Sequence, residues 1–483
     1  MSRAAYSSAM TTAINQLARE HLLRCDGQED LSFAIWRPSR GRGRKTALIN
    51  RLILPRDGDR NIHGNASLNP IFFQRALAEA TSEEGGLALM HSHPYGTKWQ
   101  GMSFDDITTE QSLAPAVFGA TRLPFVGLTL AGDGSWSARF WERSAPRTYL
   151  RQDCATVRIV GDCLVVTYMN GLARPPESNQ EQVRTVSAWG QQAHADLVRL
   201  RVAIVGAGSV GGMIAEALAR TGFEDIILID FDHVERHNLD RLVYATRKDI
   251  GQLKVAVAAE HLLARATAEP FHVDPVAAAV YEETGFRATL DSDVIFSCVD
   301  RPWGRYVLNL IAYAHLIPVI DGGIGVRTNR FGKLVGADWR AHTATIGRRC
   351  LQCHKQYDPG LVQAEREGFL DDPTYIEGLN KDHPLRVREN VFAFSMSCAS
   401  MQLLQMLALT LAPLSLSNPG AQLYHFVGSH MEPPEFKPCH SECQFPELVA
   451  LGDACGIEVT GARPVSKVLL RAQSDDPHEN GSL

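Results

Sequence analysis

Two histidines one residue apart, in His91-Ser92-His93, follow the apolar run Leu87-Ala88-Leu89-Met90 and so fall where a strand ends. Alternate residues of extended chain point the same way, so both imidazoles face one side. A carboxylate from a following helix then completes a three-ligand zinc site with water in the fourth position. A second constellation is built on glycine: Gly206-Ala207-Gly208-Ser209-Val210-Gly211 sits between the apolar run Val202 to Val205 and a helical stretch from Gly211 to Thr221. Gly206, Gly208 and Gly211 permit a tight turn and the approach of a phosphate to the helix N-terminus, and Asp230, at the end of the next apolar run, is placed to hold a ribose hydroxyl. That much suits an NAD site and an ATP site equally. The third is a pair of cysteine pairs, Cys350-Leu351-Gln352-Cys353 and Cys439-His440-Ser441-Glu442-Cys443, whose four thiolates suit a closed, structural tetrahedral zinc.

The elements that must carry these groups divide at Ala173-Arg174-Pro175-Pro176-Glu177-Ser178-Asn179-Gln180, a polar, proline-containing stretch that reads as a linker. Before it, apolar runs at Ala47 to Leu54, Leu87 to Met90 and Phe125 to Leu130 read as strands around a helix at Asn69 to Thr81, which makes that half α+β. After it, strand, helix and strand at Val202 to Val205, Gly211 to Thr221 and Ile226 to Ile229 form a βαβ unit, continued by runs at Val294 to Cys298 and Ile317 to Ile320. The fold class expected is α/β, with a C-terminal Rossmann-like parallel sheet. The boundaries expected are a first domain over 1–155, a linker over 156–180, a second domain over 181–460 and a disordered tail over 461–483.

Beyond the glycine turn, Ile229-Asp230-Phe231-Asp232 is followed by Asn238-Leu239-Asp240-Arg241, Gly251-Gln252-Leu253-Lys254 and Cys298-Val299-Asp300. This train resembles the adenylating enzymes of the ubiquitin-activating family, including the ThiF and MoeB type, over roughly residues 180 to 450. The resemblance implies that Asp230 binds the ATP ribose, that Asn238, Arg241 and Lys254 grip the triphosphate, and that Asp300 holds Mg2+. It also implies that Arg184 reaches the nucleotide site of a neighbouring subunit in a homodimer. Cations at such a site are what carboxylate attack on a phosphate requires, since two anions meet. Many relatives carry a nucleophilic cysteine after the first zinc pair. Here His354 to Ser397 contains no cysteine, and Cys398 falls where an amphipathic helix begins, which favours a packed thiol.

The histidine pair with Ser103-Phe104-Asp105-Asp106 resembles the JAMM (JAB, MPN-type) metal-dependent deubiquitinases, although the gap from His93 to Ser103 is two residues longer than their usual motif. The resemblance implies that His91, His93 and Asp106 ligate zinc and that Ser103 helps to stabilise a tetrahedral intermediate. It also implies an upstream glutamate as general base. Glu29, just before a largely apolar run, is the candidate.

With a formal charge of -6 and 45% hydrophobic residues, neither nucleic acid nor membrane is expected as a main partner. No signal-peptide pattern and no apolar run near the ~20 residues of a membrane span is read, so a cytoplasmic location is expected. Together the motifs describe ATP-, Mg2+- and zinc-dependent activation of a ubiquitin-like protein ending in glycine, joined to a zinc isopeptidase trimming or removing the same modifier, with a conjugating enzyme as a further partner. Activation of a sulfur carrier and a non-catalytic scaffold are the alternatives.

Overall fold

The computed structural model describes residues 5–63, 65–371 and 390–456; the expected tail lies outside them, as does part of the segment between the first cysteine pair and Cys398. The first half is built on a nine-stranded mixed sheet. Its strands are β1 (Ala5–Thr11), β2 (Leu31–Arg40), β3 (Arg44–Ile53), β6 (Gly86–His93), β7 (Phe125–Ala131), β8 (Trp136–Ala145), β9 (Thr148–Asp153), β10 (Thr156–Val160) and β11 (Leu164–Tyr168). Their spatial order is β11-β10-β1-β3-β2-β6-β7-β8-β9, and a separate two-stranded ribbon of β4 (Arg60–His63) and β5 (Asn65–Leu68) stands beside them.

Three helices cover this sheet: α1 (Thr12–Leu22), α2 (Pro70–Ser82) and α3 (Phe104–Thr121). Asn69 caps α2 by accepting from the Ile71 amide, with Pro70 at the first helical position, where its missing N–H costs nothing. Leu87 and Leu89 of β6 pack with Phe72, Ala76, Ala114 and Val117 in one core layer, which places α2 and α3 on the face that His91 and His93 share.

The second half holds an eight-stranded sheet. It comprises β12 (Arg201–Val205), β13 (Asp225–Ile229), β14 (His272–Val276), β15 (Val294–Ser297), β16 (Val319–Thr328), β17 (Leu334–Ala344), β18 (Gln422–His425) and β19 (His430–Met431). The order β14-β13-β12-β15-β16 is parallel throughout, and β17, β18 and β19 continue it antiparallel. After the short α4 (Val183–Trp189) and α5 (Gln191–Val198), the crossover helices are α6 (Ser209–Thr221), α7 (Lys254–Leu263), α8 (Glu283–Thr289) and α9 (Pro302–Ala314), with α10 (Pro359–Arg366) packed on α9. Alternation sorts the core. Val202, Ile204, Ile226, Leu228, Val294 and Phe296 face α6 and α7, while Ala203, Val205, Ile227, Ile229 and Ile295 face α8 and α9.

Two expectations are corrected. The first sheet does not stop at residue 155: Thr156–Val160 pairs in parallel with β1, and Leu164–Tyr168 pairs with it in turn, so the irregular connection is confined to about 169–179. The other concerns apolar length. The 20-residue helix Phe392–Leu411 is long and apolar enough to span a bilayer by composition, but it is a core helix, packed on α6, β16 and β17.

The two halves share one core. Ala9, Leu48, Val160, Leu164 and Tyr168 join Val202, Ile204, Phe296 and Leu409 in a single cluster. At its edge the Asp293 carboxylate accepts from the Arg44 guanidinium at 2.6 Å and from the Arg201 amide at 2.9 Å, with Arg158 at 3.7 Å. Burial pushes this carboxyl up, and Arg44 and Arg158 more than reverse it, leaving it below the usual carboxylate range. Ser39 Oγ and His315 Nδ1 hydrogen-bond across the same junction at 2.8 Å. Arg201, Asp291, Asp293 and His315 lie at the N-terminal ends of the second sheet's strands or just before them. The C-terminal ends of those strands therefore point away from the first half.

Candidate functional sites

The strand end of β6 brings the histidine constellation together. His91 and His93 have their Nε2 atoms 3.3 Å apart, and Asp106 stands 3.6 Å from the first and 3.7 Å from the second. One ligand atom from each of the three lies within 4.8 Å of the others. Helix α3 starts where it must to deliver Asp106. Ser103 caps it, its Oγ accepting from the Asp106 amide at 3.1 Å while the Asp106 carboxylate accepts from the Ser103 amide at 2.8 Å. Ser103, expected near a reacting carbonyl, thus spends its hydroxyl acceptor on the helix end.

Electrostatics suit a cation. Burial, then the nearby Arg139 charge, push His91 down to about 3, so it presents a neutral, ligand-ready nitrogen. Burial raises the Asp106 carboxyl, but His93, His91 and Ser103 together more than reverse that and hold it ionised. Glu29, half-buried in the loop before β2, is raised above its ordinary value by burial and by Asp106, against His93, so the structure does bring it to the cluster. A carboxylate shifted toward neutrality is a better proton acceptor from water.

Sequence reasoning missed what holds these groups. Asp30, buried beside Glu29, donates its amide to Ser92 Oγ at 3.0 Å and pairs with Arg60 of β4 and with Arg24. Thr129 Oγ1 sits 3.3 Å from His91 Nε2 and accepts from Arg139, which pairs with the buried Glu110. These contacts join residues up to 62 apart in sequence, and no local pattern marks them.

The glycine constellation sits at the C-terminal edge of β12. Gly206 takes a positive φ of 98°, and a Cβ on it would lie 2.5 Å from the Cys298 carbonyl oxygen, while a Cβ on Gly211 would collide with the Gly206 carbonyl. The turn therefore touches the loop after β15 that carries Asp300, which is exposed. Asp230 accepts from the Ala207 and Asp232 amides, each at 2.7 Å, and so braces the turn. Burial raises its carboxyl above the ordinary range. Lys254 begins α7 and pairs with Asp232 at 2.8 Å. Arg241 folds onto the His237 carbonyl at 2.7 Å and Asp240 at 2.9 Å, and Asn238 accepts from the Glu235 amide at 3.0 Å. Asp230 and Lys254 are thus linked through Asp232 beside the glycine turn, while Asn238 and Arg241 are held by partners within their own loop. Arg184 stands exposed on α4.

The four cysteines converge from the segment after β17 and from 439–443, with all Sγ atoms within 4.8 Å of one another. Backbone amides of Cys350 and Cys353 donate to Cys439 Sγ and Cys350 Sγ at 3.2 and 3.3 Å. Such amide donors favour thiolates, and the set fits one tetrahedral zinc. Cys398 is fully buried in the long helix, its thiol pushed up to about 12 by burial and then by Asp321.

Residues 179–444, more than half of the chain, match the model of the ThiF family. The chain belongs to the ThiF family. Among curated ThiF-type relatives, the SAMP-activating enzyme E1 of Haloferax volcanii is 33% identical over 135 residues, 28% of this chain and 49% of that protein. The tRNA threonylcarbamoyladenosine dehydratase of Escherichia coli is 34% identical over 147 residues, 29% of this chain and 53% of that protein. The chain thus spans about half the length of these two relatives. A crystal structure of E. coli MccB with MccA-N7isoASN superposes at a TM-score of 0.43 and 19% identity, covering 56% of this chain and 75% of that one.

Proposed function

We propose that this ThiF-family chain uses ATP and Mg2+ to adenylate the C-terminal carboxylate of a ubiquitin-like or sulfur-carrier protein. The observation that carries the reading is the adjacency of the glycine turn, Asp230, the Asp232–Lys254 pair and the loop leading to Asp300 at the C-terminal ends of β12, β13 and β15. In the reaction a carboxylate oxygen bonds to the α-phosphorus and pyrophosphate leaves with the electron pair of the bond that breaks. Asp230 would hold the ribose, Asn238, Arg241 and Lys254 the phosphates, and Asp300 the Mg2+ that neutralises the charge on the leaving group. Arg184 would complete the site of a second subunit. The H. volcanii E1 supports a protein tail as substrate, and the enclosure of Cys398 favours release or onward transfer of the acyl-adenylate over a thioester on that residue.

The first half, in the same proposal, is a JAMM-type zinc peptidase that trims or removes the same modifier: His91, His93 and Asp106 would hold zinc and Glu29 would take a proton from the bound water. The neutral His91 and the raised Glu29 support this. The test is incubation of the full chain with ATP, Mg2+, zinc and small proteins ending in glycine, followed by mass spectrometry. Formation of a carboxyl-AMP adduct and tail cleavage are expected; absence of both would refute the reading. The E. coli dehydratase relative favours a second reading, activation of a tRNA-borne carboxylate, which would give the adduct on tRNA instead.

A further inference from the structure

One strand beyond β15, at the same edge of the sheet, lies a charged cluster that the adenylation machinery does not use. Ser297 and Asp321 are register partners in β15 and β16. Asp321 is 1% exposed, and its Oδ1 accepts from Ser297 Oγ at 2.6 Å and from Arg305 Nε of α9 at 3.1 Å. Its Oδ2 is buried with no hydrogen-bond partner among the described residues, and so is Arg340 Nε. The Arg340 guanidinium stands 3.8 Å from Oδ2, too far for a hydrogen bond. Buried polar atoms are nearly always satisfied in a resting fold, so a guanidinium with an unpaired nitrogen, beside a carboxylate it does not reach, has donor capacity left for an acceptor group.

Shape and charge say what kind of group. Arg340 projects from β17 opposite Gly323 and lies across it; a Cβ at Gly323 would come within 2.7 Å of the guanidinium carbon. The Arg340 side chain is 30% exposed, so part of it meets solvent while Nε is enclosed. Burial and Arg305 push it down to about 10, which leaves it charged at neutral pH. Two arginines therefore face one carboxylate, with one positive charge left over. The site lies two strands, about 10 Å, from the glycine turn on β12.

Resting on the adenylation reading, we infer that Arg340 receives the terminal carboxylate of the substrate tail, with the side-chain-free backbone of Gly323 beneath its guanidinium, and that Asp321 tunes how tightly it does so. A guanidinium matches a carboxylate in geometry and also offsets the repulsion between that anion and the triphosphate.

The test is equilibrium binding of a fluorescent peptide ending in Gly-Gly to the full chain with Mg2+ and a non-hydrolysable ATP analogue, compared with the same peptide ending in an amide. Wild type should favour the carboxylate at least about tenfold. Arg340→Gln should reduce the preference to within about twofold without changing affinity for the ATP analogue, and Arg340→Lys should keep part of it. Gly323→Ala, which pushes the guanidinium aside and keeps its charge, should lose the preference too. Asp321→Asn keeps the Oδ1 contacts and removes the competing charge, so it should tighten the carboxylate peptide several-fold, a gain no merely structural role predicts. Equal binding of the two peptides by wild type, a preference that survives Arg340→Gln, or weaker carboxylate binding in Asp321→Asn would overturn the inference. Pyrophosphate exchange, measured separately, reports on adenylation: its failure with an Arg340-dependent preference intact sinks that reading and leaves this one standing.

Discussion

The histidine cluster and the proposed nucleotide site differ in how much is arranged before a ligand arrives. At the cluster, His91, His93 and Asp106 already converge within 4.8 Å, on a strand inside the sheet and a helix fixed by its own cap. At the proposed nucleotide site the cationic groups are each engaged locally, Lys254 by Asp232 and Arg241 by Asp240 and the His237 carbonyl. A metal needs a rigid ligand set of fixed size, whereas a polyanion that enters and leaves each turnover is served by cations held in exposed pairs, which cost little to exchange. The two regions also face apart. The glycine turn lies at the end of the second sheet remote from the junction, and His91 lies eight residues along β2 from the Ser39 contact, about 26 Å.

That separation gives the largest expected effect. Asp300→Ala should lower ATP-pyrophosphate exchange by about a thousandfold or more and leave tail cleavage unchanged, while His91→Ala should abolish cleavage and zinc binding at the first site and leave exchange within about twofold. A mixture of the two variants should then carry out both steps as well as wild type. Loss of both activities from either substitution would mean that the sites are not independent.

The junction should matter for stability. Asp293→Asn leaves Arg158 buried without its counter-charge and Arg44 with only Asp291 and Asp225 nearby, and about 3 kcal/mol should be lost, seen as a lower midpoint in urea. An unshifted midpoint would show that the halves do not depend on this contact.

Acidification should act on the same junction more gently. Burial, and then Arg287, push His315 down to about 3. Because its folded value is depressed, the unfolded chain takes up the proton first. The stability that His315 supports is present above about pH 6.5 and is lost progressively as pH falls toward 3, by up to about 2 kcal/mol at pH 5. In His315→Gln the fall in stability between pH 7 and pH 5 should be shallower than in wild type; equal slopes would count against the burial argument.

The smallest effect belongs to the cap. Ser103→Ala should cost about 1 kcal/mol of stability. If Ser103 only caps α3, cleavage at saturating substrate should survive; a loss of kcat beyond about tenfold would restore the expected role at the reacting carbonyl.

What could be read in the sequence followed local periodicity. The glycine turn, the strand-end histidines and the cysteine pairs are all set by spacing within a few residues, and the structure places each where a strand end, a helix start or a loop demands. What could not be read depended on partners far away in sequence. Thr156–Val160 looked like linker because Arg158 interrupts a short apolar run, yet that arginine is fully buried against Asp293 of the other half. Likewise Asp30, Thr129 and Arg139 brace the cluster through contacts that only the fold creates, and Arg340 meets Asp321 only because β16 and β17 form a hairpin. An amphipathic helix at Cys398 was legible, but the apolar length of Phe392–Leu411 was not: its serines and glutamines break the apolar run, yet Gln402 and Gln405 are buried and hydrogen-bonded within the core.

The measurement closest to the central claim is ATP-pyrophosphate exchange by the full chain, with and without a small protein ending in a free glycine carboxylate. Exchange that needs that carboxylate and Mg2+, and collapses in Asp300→Ala, is the predicted result. No exchange with any carboxylate substrate, or exchange indifferent to Asp300, would contradict the account.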